Sequence, residues 1–162
     1  MDARRLARLI DEQAAALVLY ARQWCTTPDD VVQEAFVKFA ALVSPPDHPA
    51  AWLHRVVRNA ALTAARGEAR RRRHESAAAR PEAWFAPTDG RLDGVAASAA
   101  LAALEGEVRE PVVAHLWGGL TFVQIGELMG TSAGTAHRRY LEGLAELRRR
   151  LRVECPNPST QN

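Results

Sequence analysis

Cysteine is nearly absent: Cys25 and Cys155 are the only two in 162 residues. Two thiols cannot build a disulfide framework or a four-ligand zinc site. Long apolar runs are missing too. The longest, residues 14–21, ends at Arg22, well short of the roughly 20 residues that span a bilayer. Residues 1–12 are charged throughout, so we expect no secretory signal peptide, no membrane segment and a cytoplasmic location. His48, His54, His74, His115 and His137 show no ligand spacing, and no glycine-rich loop could cradle a phosphate. No catalytic residue, metal site or cofactor is therefore expected, and the chain does not read as an enzyme. Nothing alternates with period two for long enough to make a sheet. The composition is nonetheless globular, with 48% hydrophobic and 25% charged residues.

Lysine is also scarce: Lys38 stands alone against 20 arginines. Arginine suits phosphates and base edges, because its planar fork offers two parallel donors. The net charge of +2 hides a gradient. Residues 1–74 carry 12 basic and 8 acidic side chains, residues 75–101 carry 2 and 4, and residues 102–162 carry 7 of each. Arg66, Arg70, Arg71, Arg72 and Arg73 fall within eight positions.

Helical periodicity dominates what remains. Leu6, Leu9, Ile10, Leu17 and Tyr20 fall at helical spacing, as do Val31, Val32, Ala35, Phe36 and Phe39. Thr27, Pro28, Asp29 and Asp30 form a helix start, with acids at the positive dipole end. The proline-rich run from Ser44 to Pro49 breaks the pattern. A third helix follows, with Trp52, Leu53, Val56, Val57, Ala60 and Ala61 as its apolar stripe, and runs into the arginine cluster. Residues 75–98 hold Pro81, Pro87, Gly90, Gly94 and the adjacent Trp84 and Phe85, with no clear period. They read as a linker. Helical patterning resumes from Ala99 to about Arg152, and residues 153–162 look like a frayed tail.

Residues 121–151 read as a helix-turn-helix. Thr121 can cap a short helix over residues 122–129, Gly126 gives room for a close crossing, and Gly130 supplies the turn. Thr131 or Ser132 caps the next helix, whose buried stripe is Ala136, Tyr140, Leu144, Leu147 and Leu151. Near its start, His137, Arg138 and Arg139 project where a recognition helix meets DNA, and Ser132 and Thr135 can bond phosphates.

Taken together, the two halves resemble a known family. Asp29-Asp30-Val31-Val32-Gln33-Glu34-Ala35-Phe36 and Trp52-Leu53-His54-Arg55-Val56-Val57-Arg58-Asn59 resemble two region 2 signatures of bacterial RNA polymerase sigma factors. Arg109-Glu110, the run from Gly119 to Gly126, and Gly134-Thr135-Ala136 are similar to region 4. Order and spacing match the extracytoplasmic-function group, which keeps only regions 2 and 4. The resemblance covers residues 2–74 and 101–151.

It implies an all-α chain: two small helical domains, residues 1–74 and 100–152, joined by a flexible linker, the second containing the helix-turn-helix. It implies a sigma factor that binds core RNA polymerase through the β′ clamp and β flap and directs it to promoter DNA. It assigns Asp29, Asp30, Gln33 and Glu34 to the polymerase. Arg55, Arg58, Asn59, Arg66 and Arg70 go to the opened −10 strand, and Ser132, Thr135, His137, Arg138 and Arg139 to the −35 duplex. It admits an anti-sigma factor as a further partner. Three departures stand out. Thr63 replaces a usual Asp, Pro111 falls inside the first region 4 helix and suggests a late start near Glu110, and Glu142 sits one turn past Arg138. The alternative is a stand-alone helix-turn-helix regulator, which would need a sensor domain in the first half.

Overall fold

The computed structural model describes residues 3–72 and 94–151, and every described element is an α-helix. The expected linker up to residue 93, with Trp84 and Phe85, and the tail lie outside the described residues.

Helix α1 (Ala3–Ala21) buries Leu17 and Tyr20 completely near its C-terminus. Helix α2 (Pro28–Ala40) starts where the sequence places it, with Pro28 in the first turn, although Thr27 makes no side-chain cap bond. Its buried face is Val31, Val32, Ala35, Phe36 and Phe39. Helix α3 (Pro49–Arg72) uses Pro49 as its first residue, where a missing N–H costs nothing. Leu53, Val57 and Ala61 form its fully buried stripe. The first three helices pack against one another. Trp52 packs edge-on to Phe39, with ring centroids 5.5 Å apart, as a partly buried core residue.

Helix α4 (Gly94–Ala102) begins five residues before the expected resumption at Ala99, and buries Ser98, Ala100 and Leu101. Helix α5 (Gly106–Leu116) corrects the expectation of a start near Glu110, since it runs straight through Pro111. An interior proline sacrifices one backbone bond and commonly costs about 3 kcal/mol. Here Glu110, Pro111, Val112, Val113 and Ala114 are all buried, and burial at about 1.5–3 kcal/mol per large apolar side chain offsets that cost.

Helices α6 (Phe122–Met129) and α7 (Ala133–Leu151) form the helix-turn-helix. Thr121 and Gln124 make a reciprocal capping box: each side chain takes the other's backbone N–H. Gly130 closes the turn at φ 67°, a left-handed conformation that glycine adopts without strain. Ser132 caps α7, its Oγ accepting the Thr135 N–H at 3.1 Å. The expected stripe on α7 is buried fully at Ala136 and partly at Tyr140, Leu144, Leu147 and Leu151, and Gly143 joins it as a buried position.

Gly126 faces the turn. A Cβ there would lie 2.8 Å from the Thr131 carbonyl oxygen and 3.0 Å from the Ala133 nitrogen. Gly126→Ala should gain about 1 kcal/mol of helix propensity and lose about 1–3 kcal/mol to overpacking against backbone that cannot rotate away. We expect a net fall in thermal midpoint; a variant as stable as the wild type would show that the turn yields.

The two halves do not stand apart. Helix α1 contacts α5, and α3 contacts α6. Buried residues from Leu17 to Ala136 join in one hydrophobic cluster.

Candidate functional site

Three surfaces carry the residues singled out in the sequence. The first is on α2. Asp29, Asp30, Gln33 and Glu34 are all exposed. Asp29 and Gln33 border an open apolar groove between α1 and α2, lined by Leu6, Ile10, Ala14, Val18, Val32, Phe36 and Val37. Only the amphipathic spacing of both helices foreshadows that groove. Glu34 is engaged in a surface ion pair with Lys38 at 2.8 Å, of a kind worth only about 0.3–0.5 kcal/mol.

The second surface is on α3. At about 100° per residue, Arg55, Arg58, Asn59, Arg66 and Arg70 fall within an arc of about 120°. Four of the five are exposed, and Arg58 is the exception. It lies at the edge of the arc next to the buried stripe. A shallow pocket between α2 and α3 runs along the same side, lined by Glu34, Lys38, Asn59 and Thr63 among others. The Thr63 hydroxyl is turned onto its own helix, donating to the Asn59 carbonyl at 2.8 Å.

Arg58 meets the other half. Its Nε donates to Glu110 Oε1 at 2.7 Å and its Nη2 to Glu110 Oε2 at 3.3 Å. The Tyr20 hydroxyl donates to the same Oε1 at 2.6 Å. Glu110 is 4% exposed and Tyr20 wholly buried. The Glu110 hydrogen bonds raise the Arg58 pKa. Burial first, then the charge of Glu110, pushes the Tyr20 phenol well above its ordinary range. Arg109 reaches across as well, its Nη2 donating to the Gln23 carbonyl at 3.2 Å. Tyr20 reads as plain core on its stripe, and Glu110 as a helix start. The one sequence signal was an acid opening the otherwise apolar run that continues with Pro111, Val112, Val113 and Ala114.

His54 sits beside this contact, fully buried, with its Nδ1 donating to the Ala50 carbonyl at 2.9 Å and its ring edge-on to Tyr20. Gly118 covers its other nitrogen so closely that a Cβ would lie 2.5 Å from Nε2. Burial pushes the His54 pKa down to about 4. The folded state therefore prefers the neutral ring. Stability from this site is intact above the ordinary histidine pKa near 6.5 and is lost progressively as pH falls from there towards 4. The full loss is on the order of 3 kcal/mol. His54→Gln should show a smaller drop in thermal midpoint between about pH 7 and pH 4.5 than the wild type; parallel curves would remove His54 as a cause.

The third surface is the start of α7. Ser132, His137 and Arg138 are exposed, and Thr135 and Arg139 half-buried. These five do not share one face. Arg138 and Thr135 point away from the core, whereas His137 and Arg139 lie on opposite flanks of the buried stripe. The His137 ring packs against Phe122 at 4.7 Å between centroids, and Arg139 pairs with Glu107 of α5. Arg138 donates to Glu142 at 2.7 Å. The Ser132 and Thr135 hydroxyls bond each other at 3.0 Å, which uses one of their two protons and leaves the other for an outside acceptor.

Among the described residues no cluster of histidine, cysteine or acidic side chains could hold a metal, and no helix is long and apolar enough to cross a membrane.

Residues 9–71 match the family described as Sigma-70 region 2. A search of curated proteins gave no match. Among solved structures, the fold is similar to the sigma factor RpoE from Bartonella quintana, solved with the anti-sigma factor NepR. That match has a TM-score of 0.79 at 20% identity and covers 94% of this chain and 97% of that one. It is similar also to CnrH, solved in complex with the cytosolic domain of CnrY. Here the TM-score is 0.61 at 24% identity, with 95% of this chain and 92% of that one covered. The all-helical architecture expected from the sequence is thus the observed one. Residues 9–71 match the Sigma-70 region 2 family, and the described residues share the fold of the sigma factor RpoE.

Proposed function

We propose that the protein is a sigma factor that binds core RNA polymerase and directs promoter-specific initiation. One observation carries the reading. The basic and amide residues of α3 share one arc of a helix inside the region 2 match, and the same chain carries a helix-turn-helix whose first helix is capped at both ends. The first can follow a single strand through phosphate contacts, and the second can enter a major groove. Residues 1–74 and 100–152 then divide the work between the −10 and −35 elements.

Asp29 and Gln33 border an apolar groove, with Asp30 and Glu34 exposed on the same helix, so the core enzyme docks with apolar side chains in the groove and basic ones beside it. RpoE was solved bound to an anti-sigma factor, which supports a protein inhibitor among the partners of this chain.

The test is co-purification with core polymerase followed by run-off transcription on genomic fragments. Discrete transcripts that depend on the added protein are expected. DNA binding by the isolated chain with no polymerase association would replace this reading with the stand-alone regulator.

A further inference from the structure

The contact between the two halves has a polar centre. Glu110 takes three hydrogen bonds from two different helices of the first half, one from Tyr20 on α1 and two from Arg58 on α3. We propose that Glu110 is a latch: it holds the free chain closed, and in the same contact it withdraws Arg58 from single-stranded DNA. The second part rests on the proposed role of Arg58 at the −10 strand.

The chemistry suits a contact that opens. A buried ion pair gains little over its separated, hydrated partners, because desolvation cancels most of the attraction. Removing one partner alone is costly, since it strands the other. Separating the halves returns Glu110 and Arg58 to water together, so this polar centre adds little of its own to the cost of opening, which the shared apolar contacts set. The bonds to α1 and α3 are made by one carboxylate, so both release at once.

The closed contact also changes what a strand would meet. Arg58 spends two of its donors on Glu110, and only about a quarter of its side chain stays exposed. Arg55 opens onto a crevice that α6 closes with Gln124 and Glu127. A carboxylate at that mouth repels phosphate. The α3 arc is thus covered by the second half at Arg58, whereas Arg55, Asn59, Arg66 and Arg70 stay exposed.

The full chain without polymerase can be compared as wild type, Glu110→Gln and Glu110→Ala. Small-angle X-ray scattering reads closure. Fluorescence anisotropy with a fluorescein-labelled single-stranded oligonucleotide of mixed sequence reads strand access. Glu110→Ala should raise the radius of gyration and, for a closed state favoured about ten to one, raise apparent strand affinity about tenfold. Glu110→Gln should shift both in the same direction by less. Adding Arg58→Ala to Glu110→Ala should remove the affinity gain. Unchanged scattering in both Glu110 variants overturns the latch. A larger radius with no affinity gain, or a gain that survives Arg58→Ala, overturns the withdrawal of Arg58 and places the failure in its assignment to the strand. Circular dichroism monitors folding; if Glu110→Ala loses helix, Glu110→Gln and Tyr20→Phe, which removes one hydroxyl, decide by the same criteria.

Discussion

Changing Asp30 and Gln33 together to arginine is expected to abolish co-elution with core RNA polymerase while leaving helix content unchanged. Both side chains are exposed, so neither supports the core. The groove offers an apolar seat to a partner, Asp29 and Gln33 make its rim acidic and polar, and Asp30 stands exposed next to them on α2. A partner suited to that rim is basic. Two new arginines there place like charges opposite each other, at a cost of several kcal/mol, which is a loss of about a hundredfold or more in affinity. Ala145→Arg, an exposed change on α7, should assemble normally and controls for net charge. Normal co-elution of the double variant would show that the polymerase uses another face.

Local chemistry was legible in the sequence because the signals are local. Thr121 marks its helix start and Gly130 its own turn, and the structure adds the reciprocal bond from Gln124 that completes the cap. The apolar stripes of α2 and α3 follow from spacing alone. Arg55, Arg58, Asn59, Arg66 and Arg70 fall on one arc for the same reason. The contact between the halves was not legible. Tyr20 and Glu110 are 90 positions apart, and Arg58 and Glu110 are 52 apart. Helical period assigns a residue to the inside or the outside of its own helix; it does not say which helix arrives there. Pro111 misled for a related reason. Local propensity ends a helix at proline, and only the tertiary burial of residues 110–114 overrides it. Gly118 carries no signal in the sequence, yet a side chain there would run into His54. The acid at position 110 and the glycine at position 118 became intelligible together, as the two sides of one contact.

Arg138 is expected to carry the largest single share of −35 recognition. It stands on the outer side of α7, one turn from the N-terminus, and about two-thirds of its side chain is exposed. It supports no core contact, so Arg138→Ala should fold normally and bind core polymerase as the wild type does. In the free chain its guanidinium is paired with Glu142. An exposed pair one turn apart on a helix contributes only about 0.3–0.5 kcal/mol, whereas a bidentate contact to a guanine edge is worth about 1–3 kcal/mol. DNA therefore wins Arg138 from Glu142, at a small cost that lowers affinity. Two outcomes follow with opposite signs. Arg138→Ala should weaken promoter binding of the polymerase complex by about 5- to 150-fold, the span of that base contact. Glu142→Gln should strengthen it by about twofold, by freeing Arg138 and removing an anion beside the phosphates. The gain should vanish in the double variant, because Glu142 acts through Arg138, except for the part owed to phosphate repulsion, which salt screens. Band shifts of the reconstituted complex on one promoter fragment at two salt concentrations measure all four proteins. Unchanged affinity in Arg138→Ala would move recognition to the flanks of the helix, where His137 and Arg139 lie, and would show that Arg138 only solvates the outer face.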